Sequence, residues 1–365
     1  MKHALFLSLL MAFSLTFQAQ SYRFLVGTYT NTGKSQGIYT YELNGKTGVV
    51  TQKSVTMGVS NPSYLCVTPD KKFVYSVNES EEGSAANAFA FDAVSGKLNF
   101  LNRSMTNSKG PCFISATPKH VFTANYGGGS LSVFTRKADG SLSDLKQMIQ
   151  HSGSSINLDR QAEPHVHQVI VTNDKRFILA NDLGTDKVTV YKYNPDAIHE
   201  ILTPWDTLDV KKGSGPRHIV FNGNGKLAYL VQELDGTVSV LLLKNGKLDL
   251  LQETTLISDP EQKAWAADIH LSPDGKFLYA TNRAPANNIT CYKVLKDGRL
   301  ENYFMVSTRG DGPRNFALTP DGKFLLVAHQ FSNNIVIFKR DTKTGMLTDT
   351  GERIEVGAPV CLVFY

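Results

Sequence analysis

The sequence predicts an all-β protein, a β-propeller of seven four-stranded blades. Three observations lead to this prediction: a strand-turn-strand pattern recurs along the chain, its period divides the chain into seven units, and the two chain ends supply complementary parts of one unit. No long amphipathic helical pattern separates the repeats, which excludes a parallel α/β sheet. Four-stranded units repeated around a ring are typical of a propeller.

Each repeat begins with a short apolar strand, turns through a segment that often has the sequence Pro-Asp-Gly-Lys, and returns in a second apolar strand. A third apolar strand, a glycine-containing turn and a more polar fourth strand follow. Asp-Gly and Asn-Gly turns between such runs suit the twist of antiparallel strands. The six repeats begin at Pro62, Pro111, Val166, Pro216, Ala266 and Pro313, and their third strands begin at Ala88, Leu131, Val188, Val238, Ile289 and Ile335.

The chain ends complete a seventh blade. Residues 359–365 form a predicted first strand, while residues 23–30, 37–44 and 49–56 form predicted second, third and fourth strands without a first. The 297 residues from Pro62 to Pro359 span six intervals of 49.5 residues on average, and this period divides the 346 residues from position 20 onward seven times. We therefore expect the last strand to pair with residues 23–30 and close the ring, which removes a free sheet edge.

The first 19 residues indicate a secretory signal peptide. A short basic start at Met1-Lys2-His3 precedes an apolar run from Ala4 to Phe17 and the small residue Ala19. The run is shorter than the roughly 20 residues of a membrane-spanning helix. We therefore expect an exported protein, periplasmic or secreted, with one propeller domain over residues 20–365 and no membrane span.

The composition narrows the class of partner. The chain is 41% hydrophobic and 19% charged, with a net charge of +5, and its lysines and arginines are not clustered. This distribution argues against a nucleic-acid or membrane-surface protein, and it does not indicate an oligomeric state. Four widely spaced cysteines lie in apolar strands, so we expect buried free thiols; they are Cys66, Cys112, Cys291 and Cys361.

Two positions of the repeat carry unusual residues and face one mouth of the predicted channel. A structural repeat does not need charges there, and crowded buried charges are costly unless they pair or bind a ligand. The residue after the first-strand start is Ser63, Cys112, His167, Arg217, Ala267 or Arg314. The residue at the end of the second strand is Glu79, Tyr126, Leu183, Glu233, Arg283 or Gln330, with Asp182 one position earlier.

Arginines outnumber acids in this set, which favours an anionic small-molecule ligand. A purely structural role is the alternative. Glu233 could join Arg217 or Arg283 across blades, and His167 could be a strand-edge residue with its hydrogen bonds satisfied.

Several segments together resemble the propeller-type lactonase family, which includes the 6-phosphogluconolactonases and, more distantly, the fungal carboxymuconate cyclase. The resemblance covers nearly all of the chain after residue 19, and its most specific part is the order His-x-His, Gly-Pro-Arg-His and Gln-Glu. The segments are residues 164–169, 181–188, 215–221, 230–234, 268–283 and 312–328.

The resemblance implies a hydrolase that opens a sugar lactone without a cofactor or metal. Lactone opening requires a water at the acyl carbon and stabilisation of negative charge on the carbonyl oxygen. Glu233 or His167 could be the general base. Arg217 and Arg283 could hold the oxyanion and an acidic group of the substrate. We do not expect an exported enzyme to encounter a phosphorylated sugar lactone. The sequence therefore supports a lactone substrate more than it supports a phosphate group on that substrate. The predicted catalytic residues are His165, His167, Arg217, Glu233 and Arg283, and the predicted substrate-binding residues are Arg314, Asp182, Asn125 and Tyr126.

Two other functions are compatible with the sequence. A metal-dependent lactonase would hold calcium in the channel, although the neighbouring arginines would repel a cation. A non-catalytic periplasmic scaffold or ligand-binding propeller would place its special residues on outer loops and not at the channel. The candidate calcium ligands are Asn78, Glu79, Asn125, Asn181, Asp182 and Glu233.

Overall fold

The computed structural model describes residues 20–259 and 261–365, which form 28 β-strands in seven four-stranded antiparallel sheets. The seven-bladed propeller predicted from the repeats is therefore confirmed. The predicted signal peptide, residues 1–19, lies outside the described residues. Within the described residues, no helix has the length and apolarity needed to cross a membrane.

Blades 1 to 6 follow the chain, each from its innermost strand outward. Blade 1 contains β4 (Leu65–Val67), β5 (Phe73–Asn78), β6 (Ala85–Asp92) and β7 (Lys97–Met105). Blade 2 contains β8 (Pro111–Ala116), β9 (His120–Asn125), β10 (Ser130–Arg136) and β11 (Leu142–Gln150). Blade 3 contains β12 (Val166–Val171), β13 (Phe177–Asp182), β14 (Lys187–Tyr193) and β15 (Leu202–Asp209). Blade 4 contains β16 (Pro216–Phe221), β17 (Leu227–Gln232), β18 (Thr237–Lys244) and β19 (Lys247–Thr255). Blade 5 contains β20 (Ala266–Leu271), β21 (Phe277–Asn282), β22 (Asn288–Val294) and β23 (Leu300–Ser307). Blade 6 contains β24 (Pro313–Leu318), β25 (Phe324–His329), β26 (Asn334–Arg340) and β27 (Leu347–Glu355).

Blade 7 joins the two chain ends, as the sequence predicts. Its strands are, from the channel outward, β28 (Pro359–Phe364), β1 (Ser21–Thr28), β2 (Gly37–Asn44) and β3 (Val50–Met57). β28 pairs antiparallel with β1 from Phe364 opposite Phe24 to Pro359 opposite Thr28, with a bulge between Gly27 and Thr28. The C-terminal strand thus closes the ring through its pairing with β1 and through side chains packed in the clusters on either side.

The hydrophobic core is divided among seven clusters, and each cluster lies between two adjacent blades. Second strands such as β9 and β13 are buried at every residue, whereas the outer strand β11 alternates between more and less exposed residues. Sheets that pack on both faces need apolar residues at successive positions, and this explains the near-continuous apolar runs of the inner strands. The four cysteines are free, as predicted, and all except Cys66 are buried.

A substitution at Gly27 tests the closure. A Cβ atom there would lie 2.5 Å from the Pro62 carbonyl oxygen and 3.1 Å from the Cys361 Cβ, so Gly27→Ala forces β1 away from the Pro62 segment of blade 1 and crowds its contact with β28. Overpacking of this kind costs about 1–3 kcal/mol. We expect a lower midpoint in urea unfolding for Gly27→Ala. The matched control is Gly223→Ala, where the Cβ meets no atom within 4 Å, and equal midpoints for the two variants would contradict the prediction.

Candidate active site

The matched repeat positions converge on one cavity inside the channel. The second residue of each inner strand, or its equivalent Ser63 in blade 1, contributes to a ring that Val360 completes from blade 7. Six of these seven residues, all except Ala267, line a cavity of about 10 Å³ together with Glu79. The ring is Ser63, Cys112, His167, Arg217, Ala267, Arg314 and Val360.

The residues next along the inner strands fill the channel beside this cavity. The ring of Tyr64 lies 4.2 Å from that of Phe113 and 6.0 Å from that of His218. Asp268 accepts hydrogen bonds from Asn315 Nδ2 at 2.5 Å and from the backbone of Ile269 at 3.0 Å. The channel is therefore a packed structure with one small polar cavity and not an open pore.

Glu233 lies at the centre of the arginine cluster. Its Oε2 is 2.8 Å from Arg217 Nε and 2.8 Å from Arg283 Nη2, and its Oε1 is 2.6 Å from Arg160 Nη2. Only 3% of Glu233, 1% of Arg217 and 2% of Arg283 is exposed. Burial acts to raise the pKa of Glu233, but the guanidinium groups of Arg283, Arg217 and Arg160 outweigh it and hold that pKa well below its usual range. Glu233 is therefore a permanent anion with little affinity for a proton.

Arg217 and Arg283 also bond to the backbone of blade 5. Arg217 Nη1 donates to the Ala267 carbonyl, while Arg283 donates to the carbonyls of Trp265 and Ala266, each at 3.1 Å. The Arg283 guanidinium stacks on the Trp265 ring at 4.3 Å. The ion-paired bridge between blades, which the sequence offered as an alternative role for Glu233, is thus present. Arg217 also lines the cavity of about 10 Å³ described above, which we call the inner cavity.

Arg160 is a site residue that the repeat alignment missed. It lies on the 15-residue connection 151–165 between β11 and β12, where the corresponding connection before β8 has five residues, 106–110. Arg160 Nη2 donates to the Tyr126 hydroxyl at 3.2 Å as well as to Glu233. Unusually long loops in compact domains are often functional, and the length of this one is the signal that could have found Arg160.

Arg314 differs from the other three arginines. Among the described residues it has no acidic group within ion-pair distance, and its guanidinium lies 5.5 Å from the centre of the Tyr29 ring. Its side chain is half-buried and lines the inner cavity. This guanidinium is therefore available to an anionic group entering the mouth.

The two histidines of the His-x-His segment have different surroundings. His167 is buried in the inner cavity, its Nδ1 has no hydrogen-bond partner among the described residues, and burial together with Arg217 lowers its pKa well below the usual value. His165 is half-buried, donates from Nδ1 to the Tyr126 carbonyl at 2.9 Å and stacks on the Tyr126 ring at 4.3 Å. His167 is therefore neutral, and His165, which lines neither cavity, packs against Tyr126.

The sequence predicted no role for His218, which is the histidine of the Gly-Pro-Arg-His segment. Its Nδ1 is 2.8 Å from Asp268 Oδ1, and its buried Nε2 has no partner among the described residues. Burial and Arg217 lower the pKa of His218 to about 4 despite the hydrogen bond to Asp268. Its ring centre lies 5.1 Å from that of His167, so two neutral imidazoles face the same cavity.

Asn125 and Asp182 do not reach the mouth, in contrast to the predicted substrate-binding role. Both are completely buried. Asn125 bonds Thr123, Ser130 and Ser132, whereas Asp182 accepts from the backbone of His165 at 2.8 Å and Gly184 at 3.0 Å and lies 2.8 Å from His151 Nδ1. Asn125 therefore holds neighbouring hydroxyl side chains, whereas Asp182 holds the local backbone and positions His165.

Glu79 connects the inner cavity with a second cavity at the mouth. This outer cavity has a volume of about 360 Å³ and a wall of mixed polar and apolar surface. Its lining consists of Tyr29, Asn31, Asn61, Glu79, Ser80, Glu81, Gly110, Tyr126 and Gly127. Tyr29 occupies in blade 7 the position that Glu79 occupies in blade 1, the residue following the second strand.

Two of the candidate calcium ligands use their amide nitrogens in hydrogen bonds. Asn78 Nδ2 donates to the Gly83 carbonyl at 2.8 Å, and Asn181 Nδ2 donates to Gln168 at 3.0 Å and to the Arg217 carbonyl at 3.1 Å. The Oδ1 atoms of Asn78 and Asn181 are buried and have no hydrogen-bond partner among the described residues. Across residues 20–259 and 261–365, no three His, Cys, Asp or Glu side chains lie close enough together to share a metal ion.

Removing the charge of Glu233 tests its central position. Glu233→Gln leaves two fully buried guanidinium groups without their counter-ion, and breaking a buried pair in this way costs about 3–5 kcal/mol. We expect a large fall in the free energy of unfolding, measured by urea titration. Glu42→Gln is the control, because Glu42 pairs with the partly exposed Arg23 at 2.7 Å and such pairs contribute about 0–1 kcal/mol. Similar losses in the two variants would show that Glu233 is not the counter-ion of the cluster.

Comparison with known proteins agrees with the fold and the motifs. The family model described as Lactonase, 7-bladed beta-propeller, matches residues 23–364. The chain is 37% identical to the 6-phosphogluconolactonase of Formosa agariphila, over 93% of this chain and 98% of that one. It is 32% identical to the 6-phosphogluconolactonase of Bacillus subtilis, over 93% and 97% of the two chains.

A solved structure leads to the same family. The periplasmic gluconolactonase of Pseudomonas aeruginosa superimposes with a TM-score of 0.90 at 37% identity, covering 94% of this chain and 99% of that one. The resemblance that the motifs indicated is confirmed, and the chain belongs to the lactonase family of seven-bladed β-propellers.

Proposed function

We propose that the protein is a lactonase that opens a sugar-derived lactone by hydrolysis at the channel mouth. Membership of the lactonase family supports the reaction class. The observation that supports the site is the convergence of Arg160, Arg217 and Arg283 on one carboxylate, Glu233, while Arg217 and Arg314 line the inner cavity. A mouth with this excess of positive charge suits a substrate that carries, or develops, negative charge.

The arginines divide into two roles in this proposal. Arg217 and Arg314 line the inner cavity and stabilise the negative charge that develops on the carbonyl oxygen or resides on the substrate. Arg283 and Arg160 hold Glu233, and Glu233 in turn keeps Arg217 oriented. A carboxylate with so low a pKa is a weak base, and this weighs against Glu233 as the group that activates water.

The histidines and Tyr126 act on the substrate side. His167 is neutral, with an unpartnered ring nitrogen in the inner cavity, and it is suited to orient a water or the lactone carbonyl by a hydrogen bond. Its low pKa makes it, like Glu233, a weak proton acceptor. The stacked rings of Tyr126 and His165 offer a flat surface for the apolar face of a sugar ring.

Two classes of sugar lactone are candidates. The Formosa and Bacillus relatives are named for a phosphorylated gluconolactone, and the Pseudomonas relative is named for gluconolactone. The guanidinium of Arg314 in the inner cavity favours the phosphorylated class, although the outer cavity itself is lined by Glu79 and Glu81 and, among the described residues, by no arginine.

A panel of lactones tests the proposal. We expect 6-phosphogluconolactone and glucono-δ-lactone to open faster than their spontaneous hydrolysis, with a higher kcat/KM for the phosphorylated compound. The rates are measured by proton release at constant pH and repeated after exhaustive chelation, which would abolish the activity of a metal-dependent lactonase. If neither lactone opens faster than in buffer, the lactonase proposal is wrong and a ligand-binding propeller becomes the better description.

The same panel assigns Arg314. Loss of a charge-assisted hydrogen bond costs about 1.5–3 kcal/mol, a factor of roughly 10–100 in kcat/KM. Arg314→Gln should therefore lose this factor with the phosphorylated substrate, and Arg314→Lys should retain part of the activity. Arg353→Gln is the control, because Arg353 pairs with Asp349 at 2.7 Å in blade 6, away from both cavities.

We also propose that the protein is exported. The support is the basic start and apolar run of residues 1–19 and the periplasmic relative of Pseudomonas aeruginosa. In an expressing bacterium the protein should fractionate outside the cytoplasm, and N-terminal sequencing should begin at Gln20. A cytoplasmic protein that retains Met1 would refute export.

A further inference from the structure

We propose that the carboxyl group of Glu79 is the proton-transferring group of the site, with Tyr29 and Ser63 as the residues that position it. This inference rests on the proposed lactonase function and deepens it. Its first support is location: Glu79 is the one described residue that lines both the inner and the outer cavity. A group at this junction can contact a substrate in the mouth and a water beside Arg314 and His167.

The contacts of Glu79 differ from those of Glu233. The Tyr29 hydroxyl lies 3.0 Å from Oε1 and 2.9 Å from Oε2, and Ser63 Oγ donates to Oε2. No guanidinium lies within ion-pair distance of Glu79 in the described part of the chain, whereas both oxygens of Glu233 are bound by arginines. Glu79 Oε1 therefore has a lone pair free for a proton on an oxygen without an ion-pair partner, whereas both oxygens of Glu233 are ion-paired.

The electrostatic surroundings also favour Glu79 as a base. Burial raises the pKa of Glu79, and Arg314, Ser63, Tyr29 and Arg217 offset only part of that effect. The thiol of Cys112, in the same cavity, is neutral because burial raises its pKa; Glu81 faces the outer cavity from the next turn of the chain. A carboxylate whose pKa lies nearer to neutrality transfers protons more effectively than one whose pKa is depressed.

Asn61 links the chain segments that carry Glu79 and Tyr29. Asn61 Oδ1 accepts from the backbone of Thr30 at 2.9 Å and Asn31 at 3.0 Å, and its Nδ2 donates to the Glu79 carbonyl at 2.9 Å. The Glu79 backbone NH donates in return to the Asn61 carbonyl at 3.1 Å. These bonds join the segments that carry the two side chains, so the hydroxyl and the carboxylate are held together before substrate arrives.

The proposed step balances with water as the only co-reactant. The water oxygen forms a bond to the acyl carbon while one water proton passes to the Glu79 carboxylate, and Arg217 and Arg314 stabilise the negative carbonyl oxygen. The bond between the acyl carbon and the ring oxygen then breaks, and Glu79 returns its proton to that oxygen as it leaves as a hydroxyl. The product carboxylic acid loses its own proton to solvent, and Glu79 is again ionised.

Three variants test this assignment with the full-length mature protein and the lactone that wild type opens fastest. Glu79→Gln should lower kcat by about 10²- to 10⁴-fold with a smaller change in KM, because it removes the base and retains the shape. Tyr29→Phe removes a donor that favours the charged form, so the acidic limb of the kcat/KM profile should move to higher pH. Glu82→Gln is the matched control, because Glu82 is exposed on the same loop and lines neither cavity.

Each outcome decides the proposal. The proposal is supported if Glu79→Gln loses activity and if the acidic limb of the kcat/KM profile moves to higher pH in Tyr29→Phe. If wild type opens lactones and Tyr29→Phe leaves the acidic limb in place, Glu79 is not the base, and this holds even if Glu79→Gln fails to fold. If wild type itself opens no lactone, the proposed function fails first and the role of Glu79 fails with it.

Discussion

The pairing of β28 with β1 is the constraint on which the rest of the molecule depends. Seven hydrophobic clusters each need two adjacent blades, and blade 7 exists only when the C-terminal strand joins the N-terminal three. Closure also holds the seven inner strands at one radius, which brings residues far apart in sequence, such as Ser63 and Arg314, to the same cavity. The site is therefore a property of the closed ring and not of any single blade.

Within that ring, one repeat position holds two carboxylates with opposite surroundings. Glu233 follows the second strand of blade 4 and is bound by three guanidinium groups, whereas Glu79 follows the second strand of blade 1 and is bound by two hydroxyl groups. The same burial thus leads to a depressed pKa in one case and a raised pKa in the other. Pairs of acids whose environments separate their pKa values in this way commonly divide the chemical roles of an active site.

The fold and the location of the candidate site could be predicted from the sequence, but the side-chain partners could not. Periodicity specified seven blades because each strand-turn-strand unit has the same requirement for burial on both faces. Aligned repeats located the mouth because equivalent Cα positions are related by the ring. The alignment could not show that Asn125 bonds neighbouring hydroxyl groups and that Asp182 bonds the backbone of His165. Arg160 lies outside the repeat, on a loop whose path no periodic pattern specifies.

The sizes of the two cavities separate binding from chemistry. A cavity of about 10 Å³ has room for roughly one water molecule, whereas about 360 Å³ accommodates a small sugar derivative. In the proposed reaction the lactone therefore binds in the outer cavity, and a water or the lactone's carbonyl oxygen lies between His167, Arg217 and Arg314. The neutral state of His167 and His218 follows from burial and from the neighbouring charge of Arg217, which both lower the pKa of each imidazole. Because neither imidazole is then a cation, the proposal assigns the stabilisation of the negative oxygen to Arg217 and Arg314, and the proton transfer to Glu79, which lines both cavities.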